Sequence, residues 1–479
     1  MWSIPVLLLV VTQAQSYDLV IAGGRVMDPG SGYDGVAWVG ITTGTVQTVS
    51  VTPISGRVTI DASGLIVAPG FIDILAYNPD PIGAWNKIAD GVTTALAMHG
   101  GAVDPDAWYG LYQRQRPPLN FGASFFHASA RHQLRIGRYQ RATAVQIRQL
   151  TTMAERALQR GALGVSLSPE YIPGTTAEEM LPLMQLARRY EVPVFFHARY
   201  SDMEEPGTNL DALHEIIELA RQSGAAVHIE HLTSTGGTFS MRESLALLEQ
   251  ARASGLDITA CAYPYSFWAT YLNSARFDAG WQSRFRISYG DLQIAGTTER
   301  LNAQSFLKYR AAGKLAVAYA IPEEDVTLAL QSPFVMIGSD AVLEAGYNNH
   351  PRASGTFART LGLYARERRA VTLMDALAKM TILPARRLEQ RSEAMRRKGR
   401  LAAGADADIT IFDPATISDR ATVEHPEYRS EGIQYVIVNG QIVKDPSGFR
   451  RGSRPGRAVR NLVLPDPVVT RAADSHSPR

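Results

Sequence analysis

Cysteine is almost absent: Cys261 is the single one in 479 residues. That excludes an intrachain disulfide and any zinc site built from several thiolates. An excess of one charge sign is missing too, since 48 basic and 46 acidic side chains leave a net charge of +2. Such a balance gives no reason to expect a nucleic-acid partner. Basic residues do gather near the C-terminus, at Arg450, Arg451, Arg454, Arg457 and Arg460, and this cluster reads as a solvated edge rather than an anionic-ligand site. The N-terminal apolar run, residues 4–11 (Ile-Pro-Val-Leu-Leu-Leu-Val-Val), has signal-peptide length and is too short to span a bilayer. Ala14 and Ser16 follow at small-residue spacing, although the leader has no Lys or Arg and Pro5 interrupts it. Residues 1–16 are therefore expected to be a signal peptide of a periplasmic or secreted protein. The alternative is a cytoplasmic protein with an apolar extension packed on its first domain.

What is present suits a large core: 45% of residues are hydrophobic and 20% charged. Residues 17–68 are short β-rich runs punctuated by glycine, and the same texture returns after residue 400 in Ala407–Phe412 and Ile433–Val438, with Asn439-Gly440 as a hairpin turn. One small β-sandwich domain, 17–68 plus 399–446, is predicted from both chain ends. Between them, strand-like runs (Thr93–Ala97, Leu163–Leu167, Val192–Phe196, Ala226–Glu230, Asp257–Ala262, Leu315–Tyr319, Phe334–Gly338) alternate with helical patterns over 144–160, 176–190, 209–223 and 240–254. That rhythm predicts an α/β fold, a TIM-like (β/α)8 barrel over 69–398. Residues 272–312 break it and read as an insertion or loops near the barrel mouth. Residues 447–479 form a C-terminal extension, expected to be disordered from about 465.

Catalytic groups of such a barrel sit at the C-terminal ends of its strands. His197 ends Val192–Phe196, His228 and His231 bracket the end of Val227–Glu230, Asp340 follows Val335–Ser339, and His99 follows Leu96-Ala97-Met98. His197, His231 and Asp340 could supply two imidazoles and a carboxylate to one divalent ion, zinc by default, with a position left for water. Asp340 could instead stay outside the metal and act as general base and then acid. His228 lies three residues from His231, faces the other way on a regular strand, and reads as structural.

Several stretches together resemble the amidohydrolase superfamily, and within it the N-acyl-D-amino-acid deacylases (D-aminoacylases). They are His350-Pro351-Arg352-Ala353-Ser354-Gly355-Thr356-Phe357, Thr381-Ile382-Leu383-Pro384-Ala385, Gly404-Ala405-Asp406-Ala407-Asp408, Glu170-Tyr171-Ile172-Pro173-Gly174 and Tyr263-Pro264-Tyr265. The resemblance spans about residues 17 to 460. It implies a metal-assisted hydrolase with His197 and His231 as metal ligands and Asp340 as the catalytic aspartate. It also places Arg199, Tyr171 and Arg352 where members contact a small-molecule substrate.

The departures from the family pattern are specific. Leu75 and Tyr77 stand where the family has two histidines after Gly70-Phe71-Ile72-Asp73, and the family's cysteine ligand aligns with Gly100. His99 is one residue out of register and could serve only through a loop or bulge. Three readings follow. One is a hydrolase of non-peptide amide bonds with at most one metal on His197, His231 and Asp340, possibly joined by His99. Another is an inactive homologue that binds an N-acyl amino acid or peptide fragment. The third is a metal-free enzyme using Tyr77, His197 and Asp340. Tyr77 is the residue expected to take a new role, including substrate contact, in the vacated position. Oligomeric state leaves no mark in the sequence.

Overall fold

In a computed structural model of the chain, residues 16–346 and 349–463 are described. The predicted signal peptide, apart from Ser16, and the tail from residue 465 lie outside them. Eight parallel strands make the barrel in chain order: Phe71–Asp73, Val92–Ala102, Asn120–Phe126, Val165–Leu167, Val194–Phe196, Val227–Ile229, Ile258–Ala262 and Val335–Ile337. Nearly every strand residue is buried, as expected of parallel strands covered by helices. Several covering helices are amphipathic and capped by a side chain at their N-terminus. Asn209–Ser223 begins with a reciprocal Thr208–Asp211 capping box and ends at Gly224, with φ of +66°.

Both chain ends build the second domain, a nine-stranded and mostly antiparallel sheet. Ile66–Pro69 pairs with Ile409–Phe412 in it, which ties the N-terminal half to the C-terminal half across the barrel's two connections. Two expectations about strands are corrected. Leu315–Ala318 is not a barrel strand; it is the centre of a three-stranded antiparallel sheet with Trp268–Tyr271 and Leu292–Ile294, which extends the insertion beyond 272–312 at both ends. The third barrel strand, Asn120–Phe126, was not anticipated, because Asn-Phe-Gly-Ala-Ser-Phe-Phe has no β-branched residue to mark it. The C-terminal extension, as far as residue 463, packs on that strand: Val459 is buried and its N–H donates to the Phe121 carbonyl. Its arginines are spent locally, Arg450 on Asp445 and Arg460 over the Tyr109 ring. Among the described residues no helix is long and apolar enough to cross a membrane.

The ladder runs unbroken from the first strand to the eighth, and the seam between those two is closed by other means. The Asp340 N–H donates to the Leu75 carbonyl at 2.7 Å. Gly338 abuts Leu75 so closely that a Cβ there would lie 2.7 Å from Leu75 Cβ. Beneath, Lys87 Nζ reaches Asp73 Oδ2 at 2.7 Å and Ser339 Oγ at 2.6 Å, all three buried. Lys87→Met should therefore leave a buried, uncompensated Asp73 carboxylate and cost about 3–5 kcal/mol in urea unfolding. A loss within 1 kcal/mol would show that the clamp does not hold the seam.

Candidate active site

The second barrel strand carries an insertion that decides the site. Ala97 pairs with Ala123 and Ala102 with Phe125, so Met98–Gly101 stand opposite Ser124 alone. Ser124 Oγ fastens this bulge by donating to the Met98 and Gly100 carbonyls at 3.2 and 3.0 Å. Gly101, with φ of +101°, is required there, since a Cβ would fall 2.2 Å from the Ser124 carbonyl oxygen. The bulge turns His99 into the barrel mouth, where its Nδ1 pairs closely with Glu230.

The sixth strand ends at Ile229, and His231 adopts a left-handed φ of +26°. Through that turn Glu230 and His231, adjacent in sequence, both reach the same interior. His197 meets them from the end of the fifth strand: its Nδ1 lies 3.1 Å from His231 Nε2, and its Nε2 lies 2.5 Å from Glu170 Oε2. His99, His197, Glu230 and His231 thus offer one donor atom each, all within 4.8 Å of one another and all buried.

These residues fit a divalent ion. A tetrahedral ion with bonds of roughly 2.0–2.1 Å holds its nitrogen ligands about 3.3 Å apart, close to the His197–His231 separation. Glu230 Oε1 is buried with no hydrogen-bond partner, a costly state for a carboxylate that a cation would relieve. Burial, with the charges of His99 and Arg276 nearby, keeps His197 and His231 well below the ordinary histidine range and so in the neutral form a ligand needs. Burial also opposes protonation of His99, but the Glu230 charge and hydrogen bond outweigh it and push His99 up to about 9, so an ion would have to displace its proton to bind there. Glu170 holds the outward nitrogen of His197 and is itself held by Ser201, the carboxylate–histidine arrangement that orients metal ligands.

Asp340 stands outside this four-residue set, so the expected trio of His197, His231 and Asp340 is not the group of donors that converges here. Its Oδ1 accepts from the Tyr77 hydroxyl at 3.0 Å and its Oδ2 pairs with Arg352 Nη2 at 3.1 Å. Burial raises its pKa, but Arg352 and the neighbouring histidines prevail and hold the carboxyl well below its usual range. Asp340 has φ of +49°, and its N–H donates to the Leu75 carbonyl.

The other predicted residues divide. Tyr77 and Tyr171 line a cavity of about 610 Å3 together with His99 and Asp340. Tyr171 lies tilted against His197, ring centroids 4.5 Å apart, and donates to Thr270 Oγ1 at 3.1 Å. Arg352 lies buried behind Asp340, 3.9 Å from the Tyr263 ring centroid, with Nη1 unpartnered. Arg199 does not join them: Glu215 holds it with two 2.8 Å contacts, and it faces a different cavity. Its substrate role is not supported by its position. Leu75 is fully buried against Cys261 and Met336 below the site. His228 lies outside it, its Nδ1 2.8 Å from Thr259 Oγ1 and its Nε2 buried without a partner.

Residues 87–444 match the amidohydrolase family. The chain belongs to that family. An N-acyl-D-glutamate deacylase of Alcaligenes xylosoxydans xylosoxydans is 32% identical, with 93% of this chain and 97% of the relative covered. A D-aminoacylase of the same organism is 30% identical over 94% of this chain and 98% of its own length. Among solved structures, an N-acyl-D-glutamate deacylase from Bordetella bronchiseptica, complexed with zinc and a phosphonate inhibitor mimicking the tetrahedral intermediate, aligns with a TM-score of 0.78 and 28% identity. It covers 93% of this amidohydrolase and 100% of that chain. A D-aminoacylase structure gives a TM-score of 0.79 at 26% identity with the same coverage. Glu230 is the candidate donor that sequence reasoning missed. Its signal, a carboxylate beside His231 at a strand end, was hidden by the strict alternation of a regular strand.

Proposed function

We propose that this amidohydrolase removes the acyl group from N-acylated D-amino acids, using one divalent ion, zinc, held by His99, His197, Glu230 and His231. The observation that carries the reading is the convergence of four buried donors beside Asp340 at the mouth of a cavity large enough for a small-molecule substrate. The D-amino-acid part rests on the two deacylase relatives, and zinc on the structural neighbour that contains it. The donor set has three nitrogens and one oxygen, which suits zinc and also other divalent transition ions.

When bound, the ion would supply Lewis acidity to the acyl carbonyl and to the attacking water. Asp340 takes the proton from that water and later returns it to the leaving amine, the role for which its ionised form is prepared. Arg352 fixes Asp340 from behind, through Nη2 on its Oδ2. Tyr171 and Tyr77 wall the cavity around the acylated amine and limit the water that enters.

Metal analysis of the purified protein and a panel of N-acetyl-D- and N-acetyl-L-amino acids, each with and without chelator, test this together. About one ion per chain and chelator-sensitive hydrolysis of D substrates alone are expected. Metal-free protein with chelator-insensitive turnover would overturn it, as would equal rates on both enantiomers.

A further inference from the structure

Tyr77 stands where the family pattern has a histidine, and it carries a phenol in place of an imidazole. Its hydroxyl is committed elsewhere, to Asp340 Oδ1. The ring packs edge-on against His99, centroids 5.7 Å apart, beside the open space left by Gly100, whose missing Cβ would lie 3.9 Å from Tyr77 Cδ1. Burial and the Asp340 charge keep the phenol well above its ordinary pKa, so it stays a donor. The Asp340 carboxylate is therefore gripped at both oxygens by different elements. Tyr77 holds Oδ1 from the end of the first strand, and Arg352 holds Oδ2 from the helix Arg352–Arg359.

A carboxylate that must accept a proton from water and return it to an amine works only while it points at both partners. The backbone of Asp340 is pinned by its bond to Leu75, but backbone pinning does not select a side-chain rotamer. A single grip through Arg352 would leave the carboxylate free to pivot about Oδ2. The Tyr77 hydroxyl removes that freedom.

We propose that Tyr77 is a positioning residue, whose hydroxyl holds the Asp340 carboxylate in the rotamer that transfers the proton. The proposal rests on Asp340 acting as that base. The ring also closes the space beside Gly100, so the position vacated by the missing histidine serves the aspartate and not an ion.

Tyr77→Phe deletes only the hydroxyl. Hydrogen bonds to a charged acceptor carry about 1.5–3 kcal/mol, so kcat for an N-acetyl-D-amino acid should fall about 10- to 100-fold. KM should move less than about twofold, and metal content and Tm should stay at the wild-type values. In an Asp340→Asn background the same substitution should lower kcat no further, because the group it positions is gone. A wild-type kcat in Tyr77→Phe overturns the proposal. So does a loss confined to KM, a loss of metal, or a loss that multiplies with Asp340→Asn. If Asp340→Asn alone retains full activity, the base assignment itself fails, a result separate from any behaviour of Tyr77.

Discussion

Asp340→Asn is expected to lower kcat by about 10²- to 10⁴-fold while the protein keeps its metal. The two halves of that expectation come from different observations. Activity falls because an amide cannot accept and return a proton at neutral pH. Metal is kept because four other donors converge without Asp340, whose own oxygens are taken by Tyr77 and Arg352. Asparagine suits the test, since it tolerates the left-handed backbone at this position and preserves the acceptor facing Tyr77. It does remove the negative charge beside buried Arg352, which costs about 3–5 kcal/mol for a broken buried pair. Thermal unfolding and metal content must therefore be measured on the same preparation as kcat. Loss of metal together with activity would place Asp340 among the ligands, and full activity would remove it from the chemistry.

Much of the fold was legible because its signals repeat. Apolar runs of strand length alternate with helical patterns over more than two hundred residues, and the helix over 209–223 was delimited by its own caps. Recognition of Asn120–Phe126 failed because its residues have little β-propensity and gain stability from pairing on both sides. Leu315–Ala318 misled for the opposite reason: an apolar run of strand length does not say which sheet it joins.

Within the site, His197 and His231 were legible as histidines that follow apolar strands. His99 and Glu230 were obscured by irregularities of backbone. Register counting put His99 on the wrong face, and only the extra residues Met98–Gly101 return it to the interior. Those extra residues are marked in the sequence by Gly100-Gly101, where φ lies in the glycine-favoured range at both positions. Glu230 was masked by alternation, which the turn at His231 suspends. The resemblance puts Arg199 among the substrate contacts, but Glu215, a residue on the helix Asn209–Ser223, claims it.

The largest effect should follow from Glu230→Ala. Glu230 supplies the only carboxylate of the four-donor set, and it is also the partner that holds His99 in the barrel mouth. Its removal deletes one ligand and releases a second. Loss of an outer partner of a metal ligand alone weakens binding about 10- to 100-fold. Loss of a donor together with such a partner should exceed that range and abolish chelator-sensitive hydrolysis. His99→Ala is the companion variant, and it should reproduce the defect if the two residues act as one unit. The direct measurement is stabilisation by added zinc: a ligand at 100 times its Kd raises stability by about 2.7 kcal/mol. Wild type should show that shift at a zinc concentration where both variants show none. Wild-type zinc stabilisation in Glu230→Ala would mean that the ion rests on His197 and His231 without the pair that the bulge at Gly100-Gly101 brings in. The four-donor site would then be refuted, whatever the activity of the variant.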